Sequence, residues 1–484
     1  MRFFKTYTLT GHIAFGVLFL LALWFAEERV LLTDSAYQLF DDINSGGMLV
    51  NDNRFSMVLS QLLPWLMIKL HLPLKLIIIG YSLSFLLLCY ACYLLTAYLL
   101  KDRKAAVLMV FAFIGICSTF FHCISETFQL MFYAPMVYAL AVYNPGTERR
   151  RKTLRWVGLV LAEVLAFFIH PVAVFFLLFI IGFRLIDGNR LRVDSTTVVL
   201  SVVLVLCVGV KLLAGQSGHD QSFMPNGDTA KALLSFFSVP SFDYFRQKIF
   251  VYLIPIMLWL LTLVGYARQR QWLKLSFVSL YVIAFFVLSV VIYWKGDGPI
   301  GMERTYLPLF FFMGLPFFYD ELPRLKQWMQ WTVYGCCLLM TVVSFRGIMK
   351  EMTNYANRLQ EVHQIAEYGR QQGQHKLIVT QSTAERLFPI NMWGLALESM
   401  MYSARDGADQ TVTIYIEDDD FDRSNADFYD NPEVYMSVNW WKRWEVKDLN
   451  PCYFQLPAQG YKELLKTEKG YEIVPLRMVS DALD

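Results

Sequence analysis

Three aspartates, Asp34, Asp41 and Asp42, crowd the polar stretch LLTDSAYQLFDDINSGG (31–47) directly after the first long apolar run. If a helix starts near Asp34, Asp41 falls on the same face two turns later, since about 7 residues make two turns. A carboxylate held by such a rigid element can act as a general base or hold a metal. Asp34 can equally serve as a helix N-cap, a role that aspartate favours. Glu126 stands at the end of another apolar run with His122 one turn before it, a second place for acid–base or metal chemistry; the alternative there is a solvated helix end. Within VLAEVLAFFIHP, Glu163 and His170 lie seven residues apart inside apolar sequence. A charge at the centre of a membrane helix costs on the order of 2.5–3.5 kcal/mol, so such residues are functional candidates. A protonated Glu163, or a His170 bonded to a neighbouring helix, is the structural alternative.

The cations gather around GDGPIGMERTYLP (296–308), where Glu303 and Arg304 follow a glycine-rich turn and Lys295 precedes it. The planar guanidinium fork matches phosphate oxygens, and a lipid headgroup phosphate at that depth is a natural partner for Arg304. A snorkelling anchor touching bulk lipid is the alternative. Arg54 is a further phosphate candidate. Two other motifs carry less. The Asp-x-Asp of EDDDFD (417–422) reads as a solvated acidic loop, and NWWKRW (439–444) suits either sugar stacking or the membrane surface.

The elements that must position these residues follow from composition. Of 484 residues, 56% are hydrophobic and only 17% charged, against about 25% charged in soluble domains. Apolar runs long enough to cross a bilayer recur along the chain. The formal net charge of +2 and the lack of a basic tail give no sign of nucleic-acid binding. Residues 12–26 resemble a signal peptide but lack a small-x-small site and run into Glu27, Glu28 and Arg29, so a retained anchor is expected. The eight cysteines mostly sit inside apolar runs, the CxxC spacing of Cys89 and Cys92 included, which argues against a thiolate zinc site.

Basic flanks orient the spans. Arg2 and Lys5 place the N-terminus in the cytoplasm, so 31–73 is external, with 54–73 lying along the interface. KDRK (101–104), ERRRKTLR (148–155), RLIDGNRLR (184–192) and RQRQWLK (268–274) mark the cytoplasmic side. Between the second and third of these, 156–186 must enter and return; Pro171 breaks a helix, so two half-helices meeting at His170-Pro171 are expected. Spans at 74–100, 105–121, 127–143, 194–213, 248–267, 273–293, 305–319 and 328–346 complete a multi-pass membrane domain, 1–346, of about 11 spans. Residues 347–484 read as a small extracytoplasmic α/β domain: an amphipathic helix at 348–373, strands at 376–380 and 411–417, and a helical stretch between them. No internal repeat is visible. On this topology Asp34, Asp41, Arg54, His122, Glu126, His170, Lys295, Glu303 and Arg304 all collect on the outer side.

An aspartate just after the first span (TDSAY, 33–37), then interfacial helices, then about ten more spans with an external polar domain, resembles the GT-C superfamily of integral-membrane glycosyltransferases. The resemblance covers roughly residues 1–346 and lies in the arrangement. It implies transfer of a sugar from a polyprenyl-phosphate donor to a glycan, lipid or protein acceptor at the outer face of a plasma or inner membrane. It implies Asp34 as the loop-one acid that deprotonates the acceptor, Glu126 as a second acid and Arg304 as the residue on the donor phosphate, with Asp41, Lys295, Arg54, His170, His122 and Glu303 as further site candidates. Many members carry two adjacent acids after the first span; here Ser35 follows Asp34, and a divalent metal gains no support. No cofactor is expected. Two other classes remain open: a lipid or polysaccharide transporter or flippase, supported by Glu163 and Lys211, and an O-antigen polymerase or ligase using His170 or His219.

Overall fold

The computed structural model describes residues 2–215, 227–388, 393–419, 429–438, 444–468 and 470–476. His219, Asp420 and Asp422 of EDDDFD, and NWWKR lie outside the described residues. The chain opens with α1 (Arg2–Trp24), then α2 (Thr33–Ser45), which carries the three aspartates, α3 (Val58–Lys69) and α4 (Leu74–Leu94). α5 (Arg103–Phe111) dissolves into two 3-10 turns before α6 (Glu126–Val142). The hairpin follows as α7 (Arg149–Phe167) and α8 (Ala173–Leu185), separated at 168–172 around His170-Pro171, and then α9 (Ser195–Ala214), α10 (Ile249–Arg268) and α11 (Trp272–Ile292). α12 (Pro299–Tyr306) and α13 (Pro308–Pro316) are short, and α14 (Gln327–Gln371) is the longest element at 45 residues.

Among the described residues six helices are long and apolar enough to cross a membrane: α1, α4 with its π-helical extension, α9, α10, α11 and α14. Exposed Val205, Leu206, Leu213, Leu280 and Leu339 line their outer faces, as bilayer contact requires. The expected spans at 105–121, 127–143 and 305–319 take another form. α5, α6 and α13 are shorter and almost wholly buried by the surrounding helices. An element hydrophobic all round is a core element, and with protein instead of lipid around it the backbone can break into short turns. Phe111, Phe113, Phe132, Phe310 and Phe312 form this centre.

The expected boundary at 346 falls inside α14, which runs without a break from the apolar bundle into the C-terminal domain. There β1 (Lys376–Thr380), α15 (Gln381–Leu387), α16 (Leu395–Ala404), β2 (Thr413–Glu417), β3 (Lys462–Thr467) and β4 (Gly470–Val474) build a four-stranded sheet in the order β2-β1-β3-β4. β1 is parallel to β2 and β3, with Ile378 opposite Tyr415 and Glu463; β4 closes the edge antiparallel. α16 packs on α2, so the domain sits against the helix of the aspartates.

The join between α1 and α2 is fastened by Arg29, which is fully buried. Its Nε donates to the Phe120 carbonyl at 2.8 Å and its Nη1 to the carbonyl and hydroxyl of Ser82, each at 2.7 Å, while the guanidinium lies 4.3 Å from the Phe120 ring centre. Arg29→Met keeps the apolar stem but leaves a buried carbonyl without its donor. It should cost about 1–3 kcal/mol, read as a lower unfolding midpoint of the detergent-solubilised protein; an unchanged midpoint removes the fastening role.

Candidate active site

A cavity of about 1060 Å³ lies where α2, α6, the 168–172 break, α9, α11 and α12 converge. Residues from across the chain line it. Asp34, Arg54, Glu126 and Arg304 lie along it with Asn51, Asp52 and Asp297, and His170 reaches it from the hairpin break. Phe167, Val174, Phe175, Val208, Leu212, Phe285, Leu288 and Ile292 form an apolar wall. The hollow is therefore amphipathic.

Asp34 stands in the first turn of α2, after Leu32 at the N-cap, and its side chain does not cap the helix. It turns into the cavity instead. The Nε2–H of His122 donates to its Oδ2 at 2.9 Å, with Asp34 48% exposed and His122 2%. Only the aspartate of this pair is therefore open to a ligand. Burial in the cavity wall works against the Asp34 charge. The hydrogen bond from His122, with the charges of His122, Arg304 and Arg54, outweighs burial and holds the carboxyl down at about 2. That depression adds stability above the unfolded carboxylate value of about 3.9 and loses it as pH falls through the folded value.

Glu126 opens α6, where an acid favours the positive helix end, and accepts from Arg54 Nη1 at 2.6 Å. Arg54, a phosphate candidate from the sequence, is thus paired with an acid, and Asp52 lies 3.6 Å from it. Arg304 is the different case: its charge reaches Asp34 and Glu126, yet among the described residues it makes neither a hydrogen bond nor an ion pair. His170 lies past the end of α7, and its Nδ1 accepts the Val172 N–H at 3.1 Å.

Four sequence candidates sit elsewhere. Asp41 shares a helix with Asp34 but lies about 10.5 Å along its axis and does not line the cavity. Its neighbour Asp42 is fully buried, accepts the Leu49 N–H at 2.8 Å and is pushed up to about 8 by burial, so it is a neutral brace for the following loop at pH 7. Glu303 points away from the cavity. It accepts the backbone N–H groups of Cys117, Ser118 (2.8 Å) and Thr119 (3.3 Å) and is a buried clamp. Lys295 lines a neighbouring hollow of about 540 Å³ and lies 5.2 Å from the centre of the Trp294 ring. Glu163 is fully buried in α7, and among the described residues neither of its oxygens has a partner. Among the described residues no three His, Cys, Asp or Glu side chains converge as metal ligands.

The structure adds residues that sequence reasoning left out. Tyr37 and Gln38 follow Asp34 on the same helical face, and Trp393 reaches the cavity from the C-terminal domain. Glu398 on α16, fully buried, accepts the Thr33 N–H at 2.6 Å and is ion-paired with the buried Arg358 of α14. No local pattern marks this last contact, because its two ends lie 365 residues apart.

Removing His122 takes away the main counterweight to burial, so in His122→Ala the Asp34 carboxyl climbs to or above about 4. Turnover by the wild type should stay flat from neutrality to about pH 4, while His122→Ala loses turnover as pH falls through about 5 to 4; superimposable profiles would mean that His122 does not set the ionisation of Asp34. Compared with known proteins, the chain matches no protein-family model, no curated protein and no solved structure, and its functional reading rests on the cavity itself.

Proposed function

We propose that this chain is a membrane glycosyltransferase that moves a sugar from a polyprenyl-phosphate donor to a glycan, lipid or protein acceptor at the outer face of the membrane. One observation carries the reading: a single cavity joins an accessible carboxylate held in its ionised form, an arginine that among the described residues has no acid partner, and a wall of apolar side chains from membrane helices. A donor of this class needs all three. Its isoprenoid chain suits the wall built on α8, α9 and α11, its phosphate suits Arg304, and its sugar then lies towards Asp34.

In the reaction the acceptor oxygen bonds to the anomeric carbon as the bond from that carbon to the phosphate oxygen breaks. The acceptor proton passes to Asp34, and the phosphate leaves on the lipid with its new charge facing Arg304. With its carboxyl held low, Asp34 is a weak base. That suits a late proton transfer, after the leaving bond has opened and the acceptor hydroxyl has become acidic. A second reading, lipid translocation, draws on the unpartnered Glu163 within the bundle, a position where transport proteins place titratable groups.

In a deletion strain profiled by mass spectrometry of envelope glycans and lipid-linked sugars, Asp34→Asn at matched membrane level should transfer roughly 100-fold less sugar than wild type. Asp42→Asn, which replaces a neutral acid by a neutral amide, should complement fully. Equal complementation by Asp34→Asn would remove the transferase reading, and a loss confined to Glu163→Gln would favour translocation.

The orientation belongs to the same proposal, with the N-terminus cytoplasmic and the C-terminal domain outside. The exposed Arg149, Arg150, Arg151 and Lys152 at one end of α7 support it. Cys452 is the one exposed cysteine. A membrane-impermeant maleimide should label it in intact cells; labelling only after permeabilisation would invert the topology.

A further inference from the structure

The polar part of the cavity contains a feature that neither acid–base chemistry nor phosphate binding uses. Tyr37 and Trp393 both line it, with ring centroids 6.3 Å apart and planes inclined at 53°. Tyr37 lies three residues after Asp34 on α2 and shares its face. Both rings are half-buried. At this inclination they form a tilted V and not a face-to-face stack, and both rings belong to the lining of the hollow.

We propose that Tyr37 and Trp393 form a subsite for a pyranose ring beside Asp34, built jointly by the membrane-side helix α2 and the C-terminal domain. The role of the bound sugar rests on the transferase reading above; its binding does not. An aromatic face is electron-rich and attracts polarised C–H groups. A pyranose carries such C–H groups on a ring face and hydroxyls around its rim, so it can lay the first on the aromatic V and turn the second to Asp34, Gln38, Asn51 and Asp52. A lipid chain would strand those polar neighbours, and the apolar wall on α8, α9 and α11 already suits one. Aromatic faces interleaved with convergent polar groups are the mixture that orients a polar ligand.

The spacing of the two rings is set before any ligand arrives. Glu398, five residues after Trp393, accepts the N–H of Thr33, four residues before Tyr37. Gly394, next to Trp393, lies so close to α2 that a Cβ there would sit 3.3 Å from the Thr33 Cα. One contact thus fixes both halves of the V, and preorganisation of this kind lowers the entropy lost on binding.

The test is saturation-transfer NMR on the purified full-length protein in detergent, with methyl glucopyranoside, mannopyranoside and galactopyranoside as probes and acyclic sorbitol as control. At least one pyranoside should show saturation strongest at its ring C–H protons, with none for sorbitol. Trp393→Phe should keep the signal, and Trp393→Ala should weaken binding by about 2- to 12-fold at an unchanged unfolding midpoint. If Trp393→Ala does not fold, the pair Tyr37→Phe (signal kept) and Tyr37→Ala (signal weakened) reads the same subsite. Sorbitol binding as well as the pyranosides, or saturation unaltered by both alanine variants, overturns the proposal. Asp34→Asn separates the two readings. Sugar binding intact with transfer lost supports both. Sugar binding intact with transfer undiminished removes the transferase and leaves the subsite, and no sugar binding alongside Asp34-dependent transfer removes the subsite alone.

Discussion

The geometry of the cavity depends on the buried contact between Glu398, Arg358 and the backbone at Thr33. An ion pair taken out of water is worth little unless further hydrogen bonds satisfy its remaining atoms. Here Glu398 also takes the Thr33 N–H, and Arg358 Nη1 reaches towards the Leu31 carbonyl at 3.5 Å. What the contact holds is an unfavourable backbone. Thr33 has φ of 42°, a region that β-branched residues rarely enter and that persists only where the surroundings over-determine it. This corner aims α2 so that Asp34, Tyr37 and Gln38 face the hollow. The far end of α2 is held as well, where Asn450 donates its backbone N–H to the Asn44 side-chain oxygen and its side-chain amide to the Ile43 carbonyl, while Arg405 pairs with Glu27 before the helix. The C-terminal domain therefore grips the helix of the proposed base at both ends.

The charges around the cavity are arranged in pairs, and this defines what each can do. Asp34 has His122 and Glu126 has Arg54, so neither acid faces the hollow as a bare charge. The pairs differ in access. His122 is shut away behind an accessible aspartate, whereas Arg54 and Glu126 are both largely covered, at 13% and 10% exposure. The first arrangement presents one reactive oxygen atom to a ligand; the second is a polar wall. Arg304 stands outside both pairs among the described residues and lines the same hollow.

Much of this could be read from the sequence. Hydropathy located the six long apolar helices, His170-Pro171 marked the break between α7 and α8, and β1 begins and ends at the residues 376–380 read as a strand. The cavity also gathers Asp34, Arg54, Glu126, His170 and Arg304, all singled out by type and by position beside apolar runs. What sequence position does not carry is direction around an axis and identity of distant partners. Asp41 and Asp34 have the correct period but the wrong separation along the helix. Glu303 looks like a neighbour of a phosphate-binding arginine, yet its acceptors are spent on amides more than 180 residues away. The same limit explains why α5, α6 and α13 read as membrane spans: an apolar run does not reveal whether lipid or other helices surround it. Tyr37 and Trp393 are ordinary aromatics until the fold brings them to one cavity.

The uninterrupted α14 has a mechanical consequence. At 45 residues it is about 68 Å long, more than twice the roughly 30 Å hydrocarbon core, and Arg358 sits on the part that leaves the apolar bundle. A helix is a stiff rod, and a change in bilayer thickness is accommodated by tilt. Tilting this rod swings Arg358, and with it Glu398 and the corner at Thr33. One unbroken rod thus joins the apolar bundle to the contact that sets the corner before the aspartate.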